Sequence, residues 1–283
     1  MFKAVIEDAV KLKETFTSIN EMFDEITFEL TPEGIKILAN DRASVVLLDL
    51  LIKKGMFKEY ECDKESVKIA LNMQEFYLAL KRFTGETTLS LEAEHTFVFS
   101  QSLPLRKILK VSLYETDYKK DEELRELAKH KITDFKARIE LKSSVLETII
   151  KESEKCREMM LDVNEQRLRL TGNTDITKYD YRLEMGNEFL IKLDVTQPCQ
   201  TVINNDYFQR LIKSTPISDV VRIEMGMDYP LRMSYVNPNV MLIYLVAPTV
   251  GYEKEPVTSQ EEPEGKRKII SQTEKKTIIE DGD

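Results

Sequence analysis

The chain has 283 residues and a mass of 32.9 kDa, with 41 basic and 50 acidic residues, a net charge of −9 and a pI near 5.1. At roughly 100–200 residues per domain, this length predicts about two domains. The content of 42% hydrophobic and 32% charged residues is typical of a globular protein. The acidic balance argues against a protein that coats nucleic acid, because neutralising phosphates requires clustered cations, but it permits a local basic face.

Missing features exclude further classes. No stretch approaches the roughly 18 consecutive apolar residues of a membrane span, and the N-terminus lacks the apolar segment of a signal peptide. Three widely spaced cysteines and two histidines form neither a disulfide framework nor a zinc-ligand pattern. No glycine-rich cofactor motif or nucleophile elbow is present. We therefore expect an intracellular protein with incidental thiols and with no metal, cofactor or catalytic residue.

In chain order, a short strand at Phe2–Ile6 precedes an amphipathic helix whose apolar residues recur at helical spacing. Strands of alternating polarity follow, and a second helix begins at Asn72, a residue that can cap a helix. The same order returns from Phe135, with a helix that begins near Ser143 and another after Asn204 or Asn205. Locally connected alternating strands predict antiparallel sheets with one buried face.

The two halves are copies, because a shift of 133 residues brings them into register. Equivalent segments share the type of secondary structure and the side that is buried. At a shift of 133, Thr31–Asn40 aligns with Asn164–Asn173 and Val46–Ile52 with Tyr179–Met185. With a one-residue slip, Asn72–Arg82 aligns with Asn204–Ser214 and Thr88–Glu92 with Val220–Glu224. The sequence thus predicts an α+β fold used twice. We expect domains at residues 1–112 and 134–250, a charged connector at 113–133 and a disordered charged tail at 251–283.

Five segments, in order along the chain, resemble one known family: Phe23–Ile35, Asn40–Asp49, Leu71–Arg82, Tyr229–Met233 and Tyr244–Val250. With the duplicated domain, they identify the chain as similar to the DNA sliding clamps of the proliferating cell nuclear antigen family, and most of all to its archaeal members. The likeness runs from Phe2 to Val250 and leaves only the tail uncovered.

The resemblance implies a non-enzymatic processivity factor of DNA replication and repair. Three chains would form a ring around double-stranded DNA, with two helices per domain lining the channel and the sheets forming the outer wall. The implied partners are duplex DNA, bound without sequence preference, a clamp loader, DNA polymerase, flap endonuclease and DNA ligase. No cofactor and no membrane is implied, and the location would be the nucleoid of an archaeal cytoplasm, or the nucleus in a eukaryote.

The resemblance also assigns two surfaces. Cations at positions where the family places channel residues, or beside them, are Lys13, Lys81, Arg82, Lys151 and Lys213. Glu14 and Glu147 stand near positions where the family commonly has basic residues and would weaken this face. A hydrophobic pocket for a partner's short peptide would be formed by Asn40, Ser44, Val45, Leu47, Pro230, Leu245, Ala247, Pro248 and Val250, with Leu124 or Leu127 from the connector; we select Leu127. By alternation alone, Val45 and Leu47 would be ordinary core.

Ring closure would pair an edge strand of the first domain with one of the second domain of a neighbour. The candidate edges are Leu105–Leu113 and Lys178–Met185, although pairing within the chain alone would also account for them.

Two alternatives remain open at this stage. The chain could be one specialised subunit of a heterotrimeric clamp, which the unusual connector and the weakened channel charge favour. In a different class, Asp41 and Asp49 could serve a carboxylate-dependent hydrolase, but no cluster of His, Asp and Glu at ligand spacing accompanies them.

Overall fold

The computed structural model describes residues 1–92, 96–115, 133–227 and 229–249. Most of the expected connector and the whole of the expected tail lie outside these residues, as do Leu124, Leu127 and Val250. No helix among the described residues is long and apolar enough to cross a membrane.

The described part of the first half contains two α-helices, one short 3₁₀ turn and nine strands. Their bounds are β1 (Phe2–Ile6), α1 (Ala9–Met22), β2 (Glu25–Thr31), β3 (Gly34–Asn40), β4 (Val46–Lys53), a 3₁₀ turn (Lys54–Met56), β5 (Glu59–Cys62), β6 (Val67–Asn72), α2 (Met73–Lys81), β7 (Thr87–Glu92), β8 (Thr96–Gln101) and β9 (Lys107–Ser112).

The described part of the second half repeats this order. Its bounds are β10 (Ala137–Lys142), α3 (Ser143–Glu152), β11 (Glu158–Val163), β12 (Arg167–Asn173), β13 (Lys178–Glu184), β14 (Leu190–Val195), β15 (Cys199–Asn204), α4 (Asn205–Leu211), a 3₁₀ helix η1 (Ile212–Ile217), β16 (Val220–Met225), β17 (Leu231–Val236) and β18 (Val240–Val246).

Each half builds two antiparallel sheets of corresponding strand order. The first half has β5-β1-β7-β8-β9 and β4-β3-β2-β6, and the second has β14-β10-β16-β17-β18 and β13-β12-β11-β15. Pairing of β18 with β4 joins one sheet of each half into a nine-stranded sheet. The prediction of an α+β fold that consists of two similar domains, with antiparallel sheets and two helices each, is confirmed.

The expected offset of 133 residues between the halves is exact for one strand pair, β3 and β12, but not for the next pair, β4 and β13. β3 and β12 differ by the expected 133 positions along their whole length. The alignment of Leu48 with Tyr181 was wrong, because Leu48 lies opposite Ala39 and it is Tyr179 that lies opposite Gly172, the equivalent of Ala39. Six residues lie between the paired residues Asn40 and Leu47, but only four lie between Asn173 and Lys178, so β13 is shifted by two.

The helices are fixed by caps and by aromatic packing. The Asp8 side chain accepts from the N–H of Val10 at the start of α1, and Asn72 accepts from the N–H of Glu75 in α2. Phe16 of α1 stacks on Phe28 of β2, with ring centroids 5.6 Å apart. The helices therefore cover the inner face of the sheets, and side chains of opposite parity along each strand face away from them.

A buried hydroxyl cluster joins the two halves. Ser18 of α1 lies 2.7 Å from Ser214 of η1 and 2.8 Å from the hydroxyl of Tyr244 on β18. Burial raises the pKa of Tyr244 to about 12. The three hydroxyls satisfy one another where water has no access, so the junction between the halves is a specific polar contact within apolar core.

Candidate DNA-facing and partner-binding surfaces

The four α-helices α1–α4 and the 3₁₀ helix η1 form one layer across both halves, called here the helical layer. α1 contacts α2 and η1, and η1 in turn contacts α3 and α4. The cations expected to face DNA therefore lie on or beside elements that contact one another in a single layer.

In the first half, the three expected cations lie on or beside α1 and α2. Lys13 is half-buried on α1, while Lys81 and Arg82 are exposed at the end of α2. The Lys81 Nζ lies 4.8 Å from the ring centroid of Tyr77, a cation–π distance that leaves the ammonium at the surface. Within the described ranges, neither Lys13 nor Arg82 forms an ion pair with another residue.

In the second half, both expected cations are paired with carboxylates. Lys151 Nζ lies 2.6 Å from Glu147 Oε1 one turn earlier on α3, and Lys213 Nζ lies 2.6 Å from Glu21 Oε2 of α1. Lys213 does not lie on an α-helix as expected, because α4 ends at Leu211 and the chain continues as η1. Pro216 lies within η1, and proline is poorly compatible with a regular α-helix.

A polar groove of about 440 Å³ lies between α1, α3, α4 and η1. Its charged lining residues are four carboxylates and three cations: Glu21, Glu147, Glu154, Asp206, Lys151, Arg210 and Lys213. The second half of the helical layer is therefore close to neutral.

Two exposed cations on the helical layer were missed. Lys11 on α1 and Arg210 on α4 are both exposed, and the Arg210 guanidinium lies 5.8 Å from the ring centroid of Tyr207. Lys11 could have been found from sequence, since it falls outside the buried face formed by Leu12, Phe16 and Ile19 of α1.

On the sheet face opposite the helical layer, three expected pocket residues form one cross-strand row, called here the pocket row: Asn40, Leu47 and Leu245. Leu47 of β4 lies directly opposite Asn40 of β3 on one side and Leu245 of β18 on the other. All three are half-buried. Leu38 and Ile243, which also face this side and are half-buried, were missed, although strand alternation would have included them.

The remaining pocket candidates lie at the end of this row. The Val45 carbonyl accepts a 2.8 Å hydrogen bond from the N–H of Ala247, which precedes Pro248. Pro230 comes one residue before Leu231, and Leu231 pairs with Val246, so Pro230 and Ala247 are neighbours. Ser44 is exposed with φ of 56°, a left-handed conformation that forms a tight turn. The eight expected residues within the described ranges thus occupy one region.

Neither carboxylate of the hydrolase alternative has an arrangement suited to catalysis. Asp41 accepts the N–H groups of Ala43, Val45 and Val46 and the hydroxyl of Tyr207, so its oxygens hold a turn. Asp49 of β4 lies between Leu38 and Ile243 of the adjacent strands; partial burial raises its pKa and Lys36 opposes that shift. Among the residues that the structure describes, no three His, Cys, Asp or Glu side chains are grouped as metal ligands.

Comparison with known proteins finds the same family in both halves of the chain. Residues 1–115 match the sequence model of the proliferating cell nuclear antigen N-terminal domain, and residues 131–249 match that of its C-terminal domain. The DNA polymerase sliding clamps of Thermococcus fumicolans and Pyrococcus abyssi are each 27% identical over 255 residues, which covers 88% of this chain and 98% of theirs.

Solved structures share the fold. The proliferating cell nuclear antigen of Thermococcus kodakaraensis superposes with a TM-score of 0.76 at 19% identity, covering 88% of this chain and 100% of that one. A chain of the PCNA2–PCNA3 complex of Sulfolobus tokodaii gives 0.74 at 23% identity, covering 87% and 98%. Because both family domains are matched in order and together span most of the sequence, this chain belongs to the proliferating cell nuclear antigen family.

Proposed function

We propose that this chain is a DNA sliding clamp, a processivity factor that encircles duplex DNA and holds a DNA polymerase on its template. The observation that carries the proposal is the duplicated two-domain fold, matched in both halves by the family. The relatives with 27% identity bear the name DNA polymerase sliding clamp. Three chains would form the ring, with the helical layer facing the DNA.

The charge of the chain is compatible with this function. A protein that grips DNA electrostatically needs clustered cations, whereas a closed ring is retained by topology and needs only a weakly attractive channel. The net charge of −9 and the paired lysines of the second half fit a ring that slides. Lys13, Lys81 and Arg82 of the first half would contact the DNA phosphates, and Lys151 and Lys213 would do so more weakly.

Partners would bind the sheet face at the pocket row. Half-buried Leu47 and Leu245, with Val45, Pro230, Ala247 and Pro248 beside them, offer an apolar surface for a short peptide with aliphatic and aromatic side chains. DNA polymerase, flap endonuclease, DNA ligase and a clamp loader would use this surface in turn. In this proposal the chain is not an enzyme and contributes only binding surfaces.

Retention on DNA of different topology tests the proposal. The protein is loaded by a clamp loader onto nicked circular DNA, washed at high salt and compared with protein on linear DNA of equal length. We expect retention on the circle and loss from the linear molecule, because only free ends release a topological link. Equal loss from both at high salt would show ordinary electrostatic binding and overturn the proposal.

A further inference from the structure

One carboxylate stands among apolar side chains on the sheet face that carries the pocket row. Asp49 of β4 lies directly opposite Leu38 of β3 and Ile243 of β18, a cross-strand set called here the Asp49 row. Along β4, Leu47 precedes Asp49 and Leu51 follows it on the same face. These four apolar residues are half-buried, whereas Asp49 is exposed. The Asp49 row therefore extends the apolar surface of the pocket row and adds one negative charge to it.

The Asp49 carboxylate has no cation of its own within the part of the chain that the structure describes. It takes part there in no hydrogen bond and no ion pair. Lys36 lies one row further along the sheet, opposite Leu51 and Glu29. Partial burial raises the pKa of Asp49, and Lys36 only opposes that rise. Asp49 is thus an acceptor without a partner in surroundings of reduced hydration.

Three carboxylates further across the same face of the nine-stranded sheet are paired with cations. The pairs are Glu140 with Arg222 at 2.8 Å, Glu224 with Arg138 at 2.9 Å and with Arg232 at 3.0 Å, and Asp194 with Lys192 at 2.7 Å. Asp49 differs from all three, since its neighbours across the sheet and along the strand are apolar. A cation for Asp49 therefore has to come from outside this sheet face.

A peptide that covers the pocket row would also reduce the hydration of Asp49. The two rows are separated by about 7 Å along β4, so a peptide seated on Leu47 reaches the carboxylate. Covering Asp49 with apolar atoms alone is unfavourable, because it buries a charge without a partner. A Lys or Arg of the peptide compensates for this charge, while the aliphatic part of its side chain packs on Leu38 or Ile243.

We propose that Asp49 is a cation subsite beside the pocket row, and that partner peptides combine apolar side chains at Leu47 and Leu245 with one Lys or Arg that pairs with Asp49. The proposal rests on the proposed function, because the occupant is a partner protein recruited to the clamp. It makes Asp49 a residue that selects among peptides of the same apolar pattern. The competing occupant is the tail of this chain, whose sequence also places cations beside aliphatic residues at Lys266–Ile270.

Selection of peptides on the full-length chain tests the subsite. Short peptides displayed on phage carry one fixed aliphatic and two fixed aromatic residues, and their other positions are random. They are selected on the native chain, on Asp49→Asn and on Asp194→Asn, after removal of peptides that bind equally well to Leu245→Ser. Asp49→Asn keeps the size of the side chain and breaks no hydrogen bond within the described residues, so its fold is expected to be unchanged.

Asp194→Asn is the matched control, because it makes the same change of net charge on the same face of the same sheet. Asp194 lies on β14, five strands from β4, which is about 24 Å across the sheet. A preference for cationic peptides that came only from the net charge of −9 would fall equally in both variants.

We expect Lys or Arg to be enriched about tenfold at one position relative to the apolar residues, on the native chain and on Asp194→Asn but not on Asp49→Asn. In calorimetric titrations, replacing that cation by norleucine should weaken binding about tenfold on the native chain and less than twofold on Asp49→Asn. Equal enrichment on Asp49→Asn, or none on the native chain, would overturn the subsite. Asp49 would then only keep an apolar face soluble.

Neutralising the tail cations in the full-length chain tests the competing occupant. Lys266→Gln is combined with Arg267→Gln and Lys268→Gln, and we expect the selected peptide and its norleucine analogue to bind within twofold of their affinities for the native chain. Binding of both peptides that becomes about tenfold tighter would mean that the tail had covered the Asp49 row. That result would overturn the assignment of the subsite to a partner.

The two proposals fail separately. Peptides that bind through their apolar residues without a preference for a cation would overturn the subsite and leave the partner surface in place. No binding that depends on Leu245 would overturn the partner surface and the subsite together. Loss from nicked circular DNA at high salt would overturn the clamp function without changing the peptide results.

Discussion

The Tyr207 hydroxyl donates a 2.9 Å hydrogen bond to Asp41 Oδ2, which ties α4 of the second half to the turn after β3 in the first. The Asp41 carboxylate also accepts the N–H groups of Val45 and Val46 at 2.7 Å and of Ala43 at 3.2 Å. Burial and then the hydrogen bond to Asp41 raise the pKa of Tyr207, so the phenol stays protonated as a donor. Both halves thus position the turn that carries Ser44 beside the pocket row.

Removing the Asp41 carboxylate should therefore lower the free energy of unfolding more than removing the Tyr207 hydroxyl. Asp41→Ala leaves three N–H groups without their acceptor and is expected to lower the free energy of unfolding by about 3 kcal/mol, against about 1 kcal/mol for Tyr207→Phe, which breaks one bond. Urea unfolding at equal protein concentration measures both. Equal losses in the two variants would mean that water replaces Asp41 as the acceptor for the N–H groups of the turn. Asp41 would then not be the residue that holds the turn in place.

The role of Asp41 illustrates what the sequence did not reveal. Alternation placed Leu47 and Leu245 on strands, and the resemblance to a family placed them in a common surface, but Tyr207 lies 166 residues from Asp41 and no local pattern joins them. The pairing of Lys213 with Glu21 spans 192 residues and was equally hidden. The Glu147–Lys151 pair, four residues apart on α3, was available from helical spacing.

The shift of β13 had a different cause. Strand side chains alternate with a period of two, so an alignment displaced by two residues preserves the buried and exposed faces. Matching polarity therefore could not distinguish Tyr179 from Tyr181 as the equivalent of Leu48. Only the hydrogen-bonded register with β12 resolves the position.

Acid stability should depend on Asp180. Hydrogen bonds from Arg169, assisted by Arg182 and opposed by burial, lower the pKa of Asp180 to about 2. Because this value lies below the roughly 3.9 of an aspartate in an unfolded chain, the ionised carboxylate stabilises the fold above about pH 4, and this stabilisation disappears as the pH falls through about 2.

Asp180→Asn should accordingly be less stable than the native chain at pH 6, and the difference should shrink steadily between about pH 4 and pH 2. Urea unfolding at several pH values measures it, with Asp175→Asn in the exposed neighbouring turn as the control. A difference that stays constant down to pH 2 would contradict ionic stabilisation of β13 by Asp180.

The carboxylates of the helical layer should limit the affinity for DNA. Glu21→Gln with Glu147→Gln releases Lys213 and Lys151 from their ion pairs and is expected to strengthen binding to a short duplex. The slope of log affinity against log salt should steepen by about 0.9 for each additional phosphate that a released lysine neutralises. Fluorescence anisotropy over a salt series measures both quantities.

The control for this experiment makes the same charge change on the opposite face. Asp134→Asn with Asp194→Asn releases Lys136 and Lys192 away from the helical layer and should leave duplex binding nearly unchanged. Equal strengthening by both double variants would show that net charge alone governs the affinity, and the assignment of the helical layer to DNA would lose its support.

Partner binding should depend on Leu245 more than on Met241, although the two residues lie on the same face of β18 and both are half-buried. Leu245 belongs to the pocket row beside Leu47, whereas Met241 lies opposite Leu51, four residues along the strand. Leu245→Ser is expected to weaken a peptide with one aliphatic and two aromatic side chains at least tenfold, about 1.4 kcal/mol, and Met241→Ser by less than twofold. Calorimetric titration of both folded variants measures the difference. A peptide bound at the pocket row would contact Leu245 directly and would not reach Met241 with the same side chains. A larger loss of affinity for Met241→Ser than for Leu245→Ser would therefore place the binding surface further along β18, away from Val45, Pro230 and Ala247.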